Sequence, residues 1–90
     1  MKLKCTKSGL IYIKQILIIN IKRPNALDGA KVLGKPVILN ACNVVFLSHN
    51  NDGHVTFFMQ NGFEISTNVF FSEAEEILNN AMEGKELEIN

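Results

Sequence analysis

Two cysteines in a 90-residue chain are too few for a disulfide framework, and neither Cys5 nor Cys42 lies in a Cys-x-x-Cys pair. Both read as free thiols of a reducing compartment. A glycine-rich phosphate loop is also missing, because Gly9, Gly29, Gly34, Gly53, Gly62 and Gly84 are scattered as turn positions. The start Met-Lys-Leu-Lys-Cys-Thr-Lys has the charge of a secretory leader, but the apolar run after it is interrupted by Lys14 and Gln15 and offers no small-residue cleavage site. That run also falls short of the roughly 20 apolar residues a membrane-spanning helix needs. A soluble, cytoplasmic protein with no membrane partner is the expectation. Repeats and low-complexity tracts are absent too, although Asn, Ile and Lys are abundant. With the small size, that bias points to a bacterial, phage or mobile-element source.

What is present is a globular composition. Hydrophobic residues make up 47% of the chain and charged residues 20%, which separates it from disordered sequences. Its length supports one domain and a single core. Formal net charge is zero but unevenly spread. Lys2, Lys4, Lys7, Lys14, Lys22, Arg23, Lys31 and Lys35 fill the first part of the chain, opposed there by Asp28, whereas Asp52, Glu64, Glu73, Glu75, Glu76, Glu83, Glu86 and Glu88 lie beyond Lys35 with Lys85. The folded domain is expected to carry a dipole unless the two ends meet.

Residues 35–68 spell out a β-meander. Val37 to Leu39 and Val44 to Leu47 read as short strands separated by a bulge or kink at Asn40 to Asn43, and Pro36 is tolerated at a strand's start. His49-Asn50-Asn51-Asp52-Gly53 has the composition of a hairpin loop. Val55, Phe57 and Met59 alternate with Thr56, Phe58 and Gln60, and Asn61-Gly62 then predicts a two-residue type I′ turn before Phe63, Ile65 and Thr67 return. Upstream, Leu10 to Ile21 is mostly β-branched and predicts one long strand, with Ile11, Ile13, Leu17, Ile19 and Ile21 on one face. Its other face carries Leu10, Tyr12, Ile16 and Ile18, too apolar to stay wet, so strand-to-strand dimerisation is expected there with Tyr12, Ile16 and Ile18 as the oligomer seam. Pro24, Asn25, Asp28, Gly29 and Gly34 mark a turn-rich connector.

Downstream, Ser72-Glu73-Ala74-Glu75 reads as a capping box opening a helix over 72–83. Its apolar stripe is Ala74, Ile77, Leu78, Ala81 and Met82, and Gly84 is placed to cap it. Residues 85–90 read as a frayed tail. The fold class expected is therefore α+β, an antiparallel meander sheet of four or five strands over residues 10–68 with one C-terminal helix packed on it.

Chemistry is harder to find. His49, Asp52 and His54 flank one loop and are metal-ligating types, but their spacing matches no established ligand motif, so surface histidines are the expectation. A Cys-His nucleophile would need Cys5 or Cys42 beside His49 or His54 with an orienting third group. Cys42, between Ala41 and Asn43, reads instead as a small buried residue. The helix carboxylates read as solvating charge. No catalytic residue, metal or cofactor is implied.

The succession Gly34-Lys35-Pro36-Val37-Ile38-Leu39-Asn40-Ala41, Val44, Leu47, Val55-Thr56, Asn61-Gly62, Ile65 and Glu75-Glu76-Ile77-Leu78 resembles the small FlbD/swarming-motility family of bacterial proteins. That resemblance spans about half of the chain, from Gly34 to Met82, and rests on turn and core residues. It implies a small non-enzymatic accessory or regulatory protein and supplies no site residues. The long apolar N-terminal strand and the Pro24 to Gly34 connector depart from the family's pattern. A second likeness, to the β-rich DNA-binding domain of LytTR response regulators, rests on strand-turn-strand pattern alone.

The function expected is a non-enzymatic, homo-oligomeric interaction or regulatory protein whose sheet surface engages another protein or a small ligand. One alternative is a nucleic-acid-binding regulator using Lys2, Lys4, Lys7, Lys14, Lys22 and Arg23, with Phe58 or Phe46 as an exposed stacking platform. Another is sequestration of a small nucleotide-like ligand between subunits.

Overall fold

The computed structural model describes residues 2–27 and 36–90. The chain runs through β1 (Leu3–Cys5), β2 (Leu10–Ile13), a 3-10 turn (Gln15–Leu17), β3 (Ile18–Lys22), β4 (Val37–Asn40), a second 3-10 turn (Ala41–Asn43), β5 (Val44–His49), β6 (His54–Met59), β7 (Glu64–Phe70), α1 (Phe71–Met82) and β8 (Leu87–Ile89). The class is α+β as expected, with antiparallel strands and one C-terminal helix. The strands divide between two four-stranded sheets: sheet A, in the order β4-β2-β1-β8, and sheet B, in the order β3-β7-β6-β5.

The division comes from the two 3-10 turns, each of which follows a strand of sheet A and leads into a strand of sheet B. The segment from Leu10 to Ile21 is thus two strands in two sheets. Leu17 N–H donates to Lys14 O at 2.9 Å, and the bend shifts the apolar register. Leu17, Ile18 and Ile21 pack against the core, while Ile19 and Ile16 are turned out. Periodicity reads a β-branched run as continuous because it registers which residues are apolar and not where the chain bends. At 41–43 the signal was clearer: Asn40 Oδ1 accepts from Cys42 N–H at 3.0 Å, the short side-chain bond that makes Asn a turn residue.

Three hairpins share one turn geometry. The loops Lys7-Ser8-Gly9, Asn51-Asp52-Gly53 and Gln60-Asn61-Gly62 are closed by Thr6 N–H to Leu10 O, Asn50 N–H to His54 O and Met59 N–H to Phe63 O, at 3.0, 2.8 and 2.9 Å. In each, the third loop residue is a glycine with φ of 86 to 90°, and its N–H returns to the carbonyl three residues back. This is the three-residue hairpin that needs a left-handed residue at its end. Asn61 does not take positive φ, so the expected two-residue type I′ turn is replaced by this longer loop. The turn-rich connector is confirmed as far as Asn25, which has φ 63° and sits in a turn closed by Ala26 N–H to Arg23 O. Asp28, Gly29, Lys31, Gly34 and Lys35 lie outside the described residues.

Helix α1 starts one residue before the expected boundary. Phe70 is the cap, and its N–H donates to Glu73 Oε1 at 3.4 Å, so the reciprocal bond expected of Ser72 and Glu75 belongs to the pair two positions earlier. The other end is as expected: Gly84, at φ 70°, and Lys85 return their N–H groups to Ala81 O and Asn80 O, a Schellman pattern. The helix stripe is Ala74, Ile77 and Ala81, fully buried, with Leu78 beside them, whereas Met82 is exposed. The expected frayed tail instead forms β8, whose Leu87 and Ile89 pair with Cys5 and Leu3. Its three residues are too few for periodicity to register.

One core gathers both sheets and the helix. Leu3, Cys5, Ile11, Ile13 and Leu39 of sheet A, Val55, Phe57, Ile65 and Val69 of sheet B, and Ala74, Ile77 and Ala81 form a single buried cluster. The alternate residues of each strand face outward.

Candidate binding face

Alternation along β6 buries Val55 and Phe57 and turns Thr56 and Phe58 to the other side of sheet B. Strand pairing aligns that outer side in rows. Lys22 lies opposite Glu64, Glu64 opposite Phe58, and Phe58 opposite Phe46, so one row crosses the whole sheet. The Lys22 ammonium stands 3.5 Å from the Glu64 carboxylate. At the far end the Phe46 and Phe58 rings stack with centroids 4.4 Å apart and planes 13° from parallel. Phe46 is 54% exposed.

The next row is neutral and polar: Asn20 pairs with Ser66, Ser66 with Thr56 and Thr56 with Ser48. Asn50 Nδ2 donates to Thr56 Oγ1 and Thr56 Oγ1 to Ser66 Oγ, both at 3.4 Å, long links that hold the hydroxyls in line. Behind this row Thr67, on the core side, donates to Val55 O at 2.7 Å and accepts from Val69 N–H at 3.1 Å, satisfying backbone groups where β7 departs from regular pairing. An aromatic pair, a hydroxyl row and an ion pair on a framework of four hydrogen-bonded strands can hold an extended or planar ligand. Nothing in the row is poised for nucleophilic attack.

The other sequence candidates are dispersed. His49 lies opposite Val55 and its ring meets Phe71 at 5.3 Å, whereas His54 lies opposite Phe70 with ring centroids 4.8 Å apart. Asp52 accepts the His54 N–H at 3.0 Å on Oδ1 and places Oδ2 3.1 Å from His54 Nδ1. Hydrogen bonding from the His54 backbone, more than the imidazole, holds the Asp52 carboxyl below its usual range. Among the described residues no three ligating side chains converge on a metal site. Cys42 departs from its expected place. Cys5 is fully buried and donates to Lys85 O at 3.1 Å, and burial pushes its thiol up, while Cys42 is exposed on the second 3-10 turn.

Of the expected seam, Tyr12 lies half-buried on the outer side of sheet A between Lys4 and Ile38, Ile16 projects from the first 3-10 turn, and Ile18 packs against the core. The bend that splits the long strand puts these three on successive elements, β2, the first 3-10 turn and β3. The basic residues scatter as well. Lys2 pairs with Glu73, Lys4 lies opposite Glu88, Lys22 pairs with Glu64, and Lys7, Lys14 and Arg23 are exposed at separate turns. Lys2 and Lys14 do line one open cleft of about 270 Å³ with Ile16, Leu17 and Asn90. A second apolar cleft of about 270 Å³ lies where Ile38 and Leu39 of sheet A approach Ile21, Met59 and Ile65 of sheet B and Phe63 just before β7.

The sequence reading reached Phe46 and Phe58 as residues that alternation could expose. It missed the row they belong to, because strand order is not written in local pattern. No family model, curated protein or solved structure matches the chain. Among the described residues no helix is long and apolar enough to cross a membrane.

Proposed function

We propose that the chain is a non-catalytic binding module that engages another protein, in an extended conformation, through the outer side of sheet B. The observation that carries this reading is the half-exposed Phe46–Phe58 stack at the end of the Lys22–Glu64–Phe58–Phe46 row. Aromatic rings presented on a rigid sheet give contact area at small entropic cost, and the adjacent, partly exposed Ser48 and Ser66 hydroxyls supply hydrogen bonds along a partner backbone. A regulatory, homo-oligomeric role is part of the same proposal and agrees with the accessory role implied by the FlbD-like resemblance.

Charge placement disfavours nucleic acid as the occupant. Stacking platforms work beside a basic groove, yet of the six candidate cations only Lys22 shares the row with the aromatics, and Glu64 offsets it. Selection of peptides from a random library against the wild-type chain tests the proposal. Selected peptides are expected to lose at least tenfold in affinity for the Phe46→Ala, Phe58→Ala double variant. Peptides that bind both proteins equally would place the site elsewhere. Salt-sensitive retention of single-stranded oligonucleotide by the wild type would favour the nucleic-acid reading instead.

A further inference from the structure

Among the described residues each sheet ends in strands with one unpaired side: β4 and β8 in sheet A, β3 and β5 in sheet B. Such a side presents a row of backbone donors and acceptors whose natural complement is another strand. Three of the four are blunted. Strand β8 has three residues, and Glu86 and Glu88 would meet like charges in any self-pairing. Strand β4 has four residues and is entered from Pro36, which has no donor. Strand β3 carries Lys22 and a register shift between Ile18 and Asn20.

Strand β5 differs. It has six residues, Val-Val-Phe-Leu-Ser-His, with no proline, carboxylate or amine, and its register shift is confined to Val44–Phe46 at one end. Val45 is 61% exposed beside Phe46. We infer that β5 is a homodimer seam at which a second copy of this chain adds its own β5 antiparallel, joining the two copies of sheet B into one eight-stranded sheet. The phase of the ladder follows from the Asn50 N–H to His54 O bond. Counting back by alternation, Ser48 and Phe46 exchange bonds with β6, so Leu47 and His49 turn their N–H and C=O groups to the free side. A two-fold axis at Leu47 then pairs that residue with its own counterpart and sets Phe46 of one copy across from Ser48 of the other. The contact is isologous and brings no like charges together, so the edge is complementary to itself. The seam moves from Tyr12, Ile16 and Ile18 to Val45, Leu47 and His49. It deepens the proposed binding function, because the aromatic row of each copy would run on into the hydroxyl row of the other.

Sedimentation equilibrium and cross-linking test it. The wild type is expected at twice the chain mass and Val45→Lys at the single-chain mass with an unchanged circular dichroism spectrum. A Phe46→Cys, Ser48→Cys variant in a Cys42→Ser background should yield a covalent dimer on oxidation. A wild type that stays a single chain to its solubility limit overturns the seam, as does an oxidised cysteine pair that gives no covalent dimer. Peptide binding that still depends on Phe46 and Phe58 in such a monomer would sink the seam and keep the binding face.

Discussion

At the scale of the residue, burial separates two chemically identical groups. Cys5 sits in β1 against the core with its thiol on Lys85 O, in surroundings that disfavour the thiolate, with desolvation as the largest cause. Cys42 stands exposed on a turn. Because the thiolate is the reacting species, exposure and ionisation push in the same direction. A thiol reagent such as Ellman's reagent at pH 8 should therefore modify Cys42 promptly under native conditions and reach Cys5 only at the rate of unfolding, with the two converging in denaturant. Equal native rates would mean that β1 does not pack as described. Sequence could not rank these two residues: Cys5 lies in a three-residue strand and Cys42 between Ala41 and Asn43, and neither context shows its tertiary cover.

At the scale of the element, what was legible followed the length of the pattern. The hairpin from β6 to β7 and the helix were readable because alternation or three- and four-residue spacing persists in them for at least six residues. Their turns were located by glycine, though the turn type was not, since positive φ at Gly62 is compatible with either loop length. Strands β1 and β8, at three residues each, carry too little pattern, and their pairing joins the two ends of the chain. The candidate face suffers from the same limit, because Lys22 and Phe46 reach one row only through the strand order β3-β7-β6-β5. Strand β8 is consequently the element whose contribution most needs measurement. Deleting Leu87 to Asn90 removes two half-buried aliphatic side chains, uncovers one side of β1 and takes away the Ile89 carbonyl that accepts Lys2 N–H at 2.7 Å. The loss should be about 2–4 kcal/mol by the usual value of burying such side chains. A urea midpoint within error of the full chain would show β8 to be unpaired in solution, whereas Glu88→Gln should leave that midpoint unchanged.

At the scale of the whole molecule, the uneven charge of the sequence is partly folded away. Lys2 reaches Glu73 at the start of α1, and Lys4 lies beside Glu88 across the β1–β8 pair, so the basic beginning and acidic end of the chain meet. Ion pairs that keep contact with solvent, as Lys2–Glu73 does, contribute little stability each, which leaves the core to hold the sheets together. That core has a particular geometry: the helix touches β1, β2 and β8 on one side and β6 and β7 on the other. Ile77, fully buried at its centre, belongs to both sheets' packing. Ile77→Ala should cost about 2–5 kcal/mol through lost contact and an incompletely filled cavity. Because the cavity opens beneath both sheets, amide exchange in β1 and β2 should accelerate together with exchange in β6 and β7, by similar factors and with a single unfolding transition. Persistent protection of β6 and β7 while β1 and β2 exchange freely would show that sheet B holds its own core, and that the two sheets are joined by chain connectivity more than by packing.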